Sequence, residues 1–325
     1  MKDLLDLMIC RIPALRGEER IELQKKFDKE DDFSVLSKKD LENLLGRYVK
    51  SRSWKMSDIR LLAEKDAAVS AKLGIHLVSW REKAYPPLLR EIYDPPALLF
   101  YRGILPDPEK PLAAVVGTRK PTALAGQRAF ALGRELGEAG VPVVSGLALG
   151  IDSMAHRGNI EGRSHTIAVL GSSPEQVYPA SNRDLARRIL EIGGLILSEY
   201  PTGTGPLKWN FPARNRIISA LARGVVIVEA PEKSGALITA RFALEQNRDL
   251  WVDSVGVRSR RGAGTARLAE EGALCISSAA EILKEWNMCG PDDEKPSVGR
   301  RKTSRGRGSG PALASSLAEY LDIKL

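Results

Sequence analysis

Seven short apolar runs, rich in β-branched residues, recur between residues 111 and 288 and constrain the fold more than any other feature of the sequence. They are LAAVVG (112–117), VPVVSG (141–146), SHTIAVLG (164–171), LILSEYP (195–201), GVVIVEA (224–230), DLWVDSV (249–255) and ALCIS (273–277). Segments of helical pattern separate them, and runs that are apolar on both faces are typical of parallel strands covered by helices on each side. The sequence therefore predicts an α/β fold over residues 111–288: a Rossmann-like, mostly parallel sheet with helices on both faces.

The flanking segments differ in pattern from this alternating region. Residues 1–80 carry apolar positions at three- to four-residue spacing, which predicts a small all-helical domain. The passage YPPLLREIYDPPALLFYRG (85–103) contains Pro-Pro pairs that interrupt a continuous helix, so residues 81–110 are predicted to form an extended connector. We expect a flexible basic linker over residues 289–311 and a single short amphipathic helix over residues 312–325.

Composition limits the cellular locations and the kinds of binding partner that we expect for this protein. No apolar run approaches the roughly 18 residues that span a bilayer, and the N-terminus has no cleavage signal, so we expect a cytoplasmic protein without membrane contact. The cysteines, Cys10, Cys275 and Cys289, lack the spacing of a C-x-x-C site, and we expect no metal. With 49 Lys and Arg against 41 Asp and Glu, the net charge of +8 favours anionic partners.

The loops that follow the predicted strands carry the functional signal. In a parallel sheet these loops meet at one edge, where helix N-termini and free backbone N–H groups converge. The polar loops are GTRKPT (117–122), SGLALGID (145–152), GSSPEQVYP (171–179), TGTGPLKWNFPARNR (202–216) and PEKSGALITA (231–240). Glycine permits close backbone approach, and Arg and Lys supply charge. Taken together, the five loops favour phosphate binding over the alternative of tight turns with solvated cations.

Cations on these loops predict a row of phosphate contacts. They are Arg119, Lys120, Lys208, Arg214 and Arg216, with the backbone amides of residues 146–150 between them. Trp209 or Phe211 is expected to stack on a base, with core packing of Phe211 as the alternative. The helix FPARNRIISALA is expected to anchor in the sheet while its arginines point towards the anion. Alternatively, one arginine pairs with Glu199 or Glu229 as structural support.

The usual motifs for nucleotide cofactors and for catalysis are absent. The first loop lacks G-x-G-x-x-G, which disfavours NAD, and no Gly-Lys dipeptide occurs, which excludes a Walker A loop. G-x-S-x-G is also absent, so Ser145 is interpreted as a turn serine rather than a nucleophile. Asp152 and His156 lie one helical turn apart, and we interpret Asp152 as serving the helix N-terminus rather than forming a metal or acid/base pair. We therefore expect no cofactor and no catalytic residue.

Several of these segments together resemble one known family. GTR at 117–119, SGLALGID at 145–152, FPARNRIISAL at 211–221 and SGALITARFALEQ at 234–246, in this order, are similar to the bacterial DNA-processing protein A family (DprA, also called Smf). The proline-rich passage at 85–103 extends the resemblance, which covers roughly residues 1–288.

The resemblance implies an extended Rossmann-like domain preceded by a small helical domain of sterile-alpha-motif (SAM) type. It also implies single-stranded DNA binding, a homodimer, loading of RecA recombinase onto DNA during natural transformation, and no catalytic activity. Together with the loop cations, it gives the candidate DNA-binding residues Gly117, Thr118, Arg119, Lys120, Ser145, Gly146, Gly150, Lys208, Arg214, Asn215 and Arg216.

The chain also departs from the family pattern. IPALRG (12–17) stands where members often have an L-P-G-I-G hairpin, the loop 251–265 is altered, and residues 312–325 correspond at most to the first helix of a winged-helix domain. An alternative function is a nucleotide-binding or nucleotide N-glycosidic-bond-cleaving enzyme on the same scaffold. Such hydrolases carry P-G-G-x-G-T-x-x-E, which EKSGALITARFALE (232–245) lacks.

Overall fold

The computed structural model describes residues 2–51 and 54–288. Its helices are α1 (Lys2–Arg11), α2 (Gly17–Lys26), α3 (Glu30–Ser34), α4 (Lys38–Leu45), α5 (Met56–Leu73), α6 (Pro87–Arg90), α7 (Ala123–Glu138), α8 (Ile151–Glu161), α9 (Arg183–Glu191), α10 (Asn210–Leu221), α11 (Gly235–Glu245), α12 (Ser254–Arg258), α13 (Ala263–Glu270) and α14 (Ala279–Glu285). None of the helices in these two ranges is both long and apolar enough to cross a bilayer. The linker and terminal helix predicted for residues 289–325 lie outside the described residues.

The strands of the described residues form one sheet. They are β1 (His76–Ser79), β2 (Leu98–Gly103), β3 (Ala113–Val116), β4 (Val143–Ser145), β5 (Ile167–Val169), β6 (Leu195–Ser198), β7 (Gly224–Ile227), β8 (Asp249–Asp253) and β9 (Leu274–Ile276), in the spatial order β1-β2-β6-β5-β4-β3-β7-β8-β9. β3 to β9 coincide with the seven predicted runs, and every pairing among them is parallel. The predicted α/β class and its mostly parallel Rossmann-like sheet are confirmed.

The sheet also includes two strands that were not predicted. β1 pairs with β2, and β2 pairs with β6, both antiparallel. They lie inside the ranges assigned to the helical domain and to the connector, so the sheet begins at His76 rather than near residue 111. The Pro-Pro pairs interrupt a continuous helix, but they do not prevent a strand from starting after the second pair, at Leu98. The first pair instead places a proline at the start of α6.

Helices cover both faces of the parallel region. Along β3 the side chains alternate, so Ala114 and Val116 belong to one apolar cluster and Ala113 and Val115 to the other. The first cluster includes Ile217, Ile218 and Leu221 of α10, and full burial of each such side chain stabilises the fold by about 1.5–3 kcal/mol. The second includes α7 and α8 residues. With both faces covered, the edge at which the strands end remains open for a ligand.

The N-terminal helices α1 to α5 pack on the antiparallel end of this sheet. Their apolar cluster includes Leu98 and Phe100 of β2, both buried. Arg11 donates from Nε and Nη2 to the carboxylate of Asp66, at 2.5 Å each, and Asp66 also accepts from Thr202 Oγ1 at 2.7 Å. Thr202 lies in the loop after β6, so the ion pair between the partly exposed Arg11 and the buried Asp66 ties the helices to a loop at the open edge of the sheet. The helical character predicted for the N-terminal segment is confirmed, whereas the exact domain boundaries stay a prediction.

Candidate nucleic-acid interface

A cleft of about 770 Å³ lies at the carboxyl ends of the parallel strands. It is formed by the loops after β3, β4, β6 and β7 and by the first turns of α10 and α11. Seven of the candidate residues line it, namely Gly117, Thr118, Arg119, Lys120, Lys208, Arg214 and Asn215. Asn215 Nδ2 donates to the carbonyl oxygen of Gly235 at 3.1 Å and so joins the starts of α10 and α11. Loops far apart in sequence therefore converge on one cleft, as the strand order requires.

Three lining cations are exposed and unneutralised. Arg119, Lys120 and Lys208 are exposed, and none of them forms an ion pair with a carboxylate of the described residues. The guanidinium carbon of Arg119 lies 5.6 Å from the ring centroid of Phe211, a cation–π contact that holds it over the cleft. Exposed cations without a carboxylate partner are available to bind phosphate groups.

The sequence analysis did not single out one further cation of the cleft. Lys233 is exposed, lines the same cleft and follows β7. It lies in the loop PEKSGALITA, which the sequence already placed at the open edge of the sheet. Its position in this loop could have indicated a phosphate contact, but Lys233 stands just outside the segments that resemble the family.

Arg214 has a different environment from the exposed cations. Its side chain is only 4% exposed, and Nη1 donates to the carbonyl oxygen of Gly146 at 2.9 Å and to that of Val169. Burial lowers the pKa of Arg214 to about 10, with the charge of Asp152 opposing the shift, so the group remains a cation at neutral pH. The expectation that Arg214 projects freely towards an anion is therefore corrected: it lies beneath the cleft and joins the ends of β4 and β5. Direct contact with DNA stays a prediction.

Arg216 does not line the cleft. Instead it pairs with Glu199, which is the structural alternative that the sequence left open for one of the two arginines. Its two Nη atoms donate to the carboxylate of Glu199 at 2.9 and 2.7 Å, and its Nε donates to Asp94 Oδ2 at 3.2 Å. Burial opposes the charge, but the two carboxylates outweigh it and raise the pKa of Arg216. The second acid considered, Glu229, instead binds other partners. Arg216 thus links α10 to β6 and to the segment before β2, and a role in DNA contact stays a prediction.

Hydrogen bonds of Ser145 and Asp152 hold the glycine loop that follows β4. Ser145 is the last residue of β4 rather than a turn residue, and it donates from Oγ to the carbonyl oxygen of Val115 in β3 at 2.7 Å. Asp152 Oδ2 accepts from the backbone N–H groups of Gly146 at 3.1 Å and Ala148 at 3.3 Å. Asp152 lies in the first turn of α8, but its carboxylate binds the preceding loop rather than the free N–H groups of the helix, which has no side-chain cap. These two amides are consequently occupied, which corrects the expectation that the loop offers all of its amides to phosphate.

Gly150 positions the glycine loop against the GTR loop. Its φ of +79° is favoured by glycine, and a Cβ there would clash with the carbonyl oxygen of Thr118 and lie 2.7 Å from Cδ of Pro121. The next residue, Ile151, donates its N–H to that same Thr118 oxygen at 3.2 Å. Neither Ser145, Gly146 nor Gly150 lines the cleft, so their DNA contacts stay predictions, and in the structure they support the loop that carries Arg119.

His156 is a buried structural residue. Its Nδ1 shares a hydrogen bond of 2.7 Å with Thr166 Oγ1, and burial, aided by the charge of Arg214, lowers its pKa to about 3. Within residues 2–51 and 54–288, no cluster of three or more His, Cys, Asp or Glu side chains is arranged to hold a metal ion.

Aromatic side chains accompany the cations. Trp209 is 69% exposed and stands directly before α10, next to Lys208. Phe211 is partly buried, and its ring centroid lies 5.5 Å from that of Tyr178. Phe211 therefore packs against a neighbouring ring, whereas stacking of Trp209 on a base stays a prediction.

A Rossmann-type sheet whose strand ends surround an open cationic cleft defines an anion-binding α/β protein. The family model for DNA recombination-mediator protein A matches residues 76–287, and the chain belongs to this family. The DNA processing protein DprA of Bacillus subtilis is 37% identical over 284 residues, which cover 86% of this chain and 94% of that protein.

Solved structures give the same result. DNA processing protein A from Streptococcus pneumoniae is similar with a TM-score of 0.72 and 32% identity, covering 88% of this chain and 98% of that chain. DNA processing protein A from Helicobacter pylori has a TM-score of 0.56 and 33% identity, covering 66% of this chain and 95% of that chain. The family resemblance found in the sequence is confirmed.

Proposed function

We propose that the chain binds single-stranded DNA in this cleft and acts as a DNA recombination mediator during natural transformation. The observation that carries the proposal is the set of exposed cations without carboxylate partners around one cleft: Arg119, Lys120, Lys208 and Lys233. Family membership supports it, as does the Helicobacter pylori relative, which was solved to explain its single-stranded DNA binding mode.

The side chains around the cleft favour a single strand over a duplex. Cations bind phosphates whatever the base sequence, and bases are free to stack on an aromatic ring only where they are unpaired. Trp209 does not line the cleft itself, but it follows Lys208 directly in the chain and its exposed face offers such a surface. We therefore expect binding that depends strongly on salt and weakly on sequence.

Fluorescence anisotropy with labelled oligothymidylate tests the proposal. Arg119→Ala should weaken binding and lower the slope of log K against log salt by about 0.7, the value for one lost phosphate contact on a single strand. The matched control is Arg188→Ala, which removes an exposed arginine from the last turn of α9, at the opposite edge of the sheet. Equal binding by Arg119→Ala and the parent protein would refute the cleft as the DNA site.

The rest of the proposal follows from the family alone. We propose that the protein is a cytoplasmic homodimer, that it loads RecA onto the bound strand, and that it catalyses no reaction. Gel shifts with and without RecA, at two salt concentrations, test the second part, and sedimentation analysis tests the dimer. Incubation with nucleoside monophosphates tests the third part, because release of free base would instead indicate the N-glycosidic-bond-cleaving alternative.

A further inference from the structure

The arginine loop, which here means the end of α12 and the loop that follows it, carries three arginines within four residues: Arg258, Arg260 and Arg261. All three are exposed, and none forms an ion pair with a carboxylate of the described residues. Two acids of the adjoining segments have other partners: Asp253 binds Arg128 Nε at 2.7 Å, and Glu229 accepts from the hydroxyl of Ser259. The loop therefore presents concentrated positive charge that the protein itself does not neutralise.

This arginine loop adjoins the cleft. Arg261 Nη1 donates to the carbonyl oxygen of Lys120 at 3.2 Å, which places the loop against the GTR loop. The carboxylate of Glu229, fully buried at the end of β7, accepts from the N–H and the hydroxyl of Thr122 at 2.8 and 2.9 Å. Since the same carboxylate binds Ser259, one side chain holds the GTR loop and the arginine loop at a fixed separation.

The arginine loop also has a defined conformation. The N–H of Arg261 donates to Ser259 Oγ at 3.1 Å, and a Cβ at the buried Gly262 would clash with the carbonyl oxygen of Gly256. Like charges on neighbouring residues of a fixed loop repel one another, and a bound anion would relieve this repulsion. These contacts distinguish the loop from a stretch of freely solvated arginines.

The spatial order of the strands arranges the cations in a row along the open edge of the sheet. Along the open edge, Lys208 follows β6, Arg119 follows β3, Lys233 follows β7 and Arg260 follows β8. From β6 to β8 the sheet has five inter-strand steps, or about 24 Å. A stacked strand of about 4 nucleotides, at 3.4 Å each, extends only about 14 Å. The row of cations is thus longer than a stacked strand of about 4 nucleotides.

We propose that Arg258, Arg260 and Arg261 form a second binding patch, which engages the phosphodiester backbone of the same single strand after it leaves the cleft. This inference rests on the proposed function. The strand runs from Lys208 across Arg119 to the arginine loop, and the patch adds affinity only for strands long enough to reach it.

Binding of two oligothymidylates, about 4 and about 20 nucleotides long, tests the inference with the full chain. The double variant Arg258→Ala/Arg260→Ala keeps Arg261 and its bond to the GTR loop. Its affinity for the longer strand should fall roughly 10- to 30-fold at about 0.1 M salt, with a salt slope lower by about 1.4 for two lost contacts, and that for the shorter strand should stay unchanged. The control Arg163→Ala/Arg188→Ala removes two exposed arginines from the opposite edge of the sheet and should leave both affinities unchanged.

The outcomes separate this inference from the proposed function. If the double variant binds the longer strand as well as the control does, or weakens both lengths equally, there is no separate patch, and a loss with Arg119→Ala still supports the cleft. If polyglutamate of equal charge competes with the longer strand as well as unlabelled DNA does, the patch binds acidic chains in general and the inference is overturned. If the parent protein binds neither strand, the proposed function fails, and the inference fails with it.

Discussion

Replacing Arg214 with alanine should destabilise the fold far more than replacing Arg119, although both arginines line the cleft. Arg214 is buried and donates to the carbonyl oxygens of Gly146 and Val169. Its removal takes a donor from each of these buried oxygens and takes the nearby positive charge from the buried carboxylate of Asp152. Two unpaired acceptors at about 1–3 kcal/mol each, together with the lost charge interaction, cost about 3–5 kcal/mol. At about 2 °C per kcal/mol, the melting temperature should fall by about 6–10 °C.

The two variants are compared by thermal denaturation and by DNA binding. Arg119→Ala removes an exposed side chain, so its melting temperature should stay within about 1 °C of the parent value, at a cost below about 0.5 kcal/mol, while its DNA affinity falls. Arg214→Ala should lose stability, and its DNA affinity should fall because the loops above it lose their support. A melting temperature of Arg214→Ala within 2 °C of the parent protein would refute the structural role argued for this arginine.

The pH dependence gives an independent test of the same reasoning. Burial raises the pKa of Asp152, and the charge of Arg214 limits that rise. Without Arg214, the folded protein holds a proton on Asp152 more tightly than the unfolded chain does, so folding becomes less favourable as the pH rises. The stability deficit of Arg214→Ala should therefore be smaller at pH 5 than at pH 8. A deficit that is independent of pH would show that Arg214 does not act on Asp152.

Three further predictions concern residues outside the exposed row of cations. Gly150→Ala should cost about 1–3 kcal/mol in urea denaturation and weaken DNA binding, because the new Cβ displaces Thr118; unchanged binding would contradict this. Asp66→Asn should cost about 3 kcal/mol, because Arg11 loses its buried carboxylate, and a loss below 1 kcal/mol in the same assay would argue against the ion pair. The pKa of His156 in the folded protein is about 3, so below pH 6.5 the unfolded chain binds a proton that the folded protein does not. The free energy of unfolding should therefore fall by up to about 1.4 kcal/mol per pH unit as the pH drops below 6.5. Urea denaturation should show a smaller loss for His156→Gln.

The sequence was sufficient for the parallel strands, because their apolar runs are a local pattern. It was also sufficient for the position of the cleft, because the carboxyl ends of parallel strands meet at one edge of the sheet. It was insufficient for β2, whose strand follows a Pro-Pro pair that was interpreted only as a break. It also could not assign separate roles to Arg214 and Arg216. Helical spacing shows that these two residues point in different directions, but only the tertiary structure shows that Arg216 meets Glu199 while Arg214 meets backbone carbonyls.

The attachment of the N-terminal helices has a consequence for defining a minimal fragment. The segment that the family model matches, residues 76–287, begins after Asp66, so a protein trimmed to it would expose Leu98 and Phe100 and release Thr202 from its acceptor. The loop that leads to Lys208 would then lose its anchor, and the cleft its fixed rim. The segment that the family model matches is therefore shorter than the segment that is needed to hold the cleft in its shape.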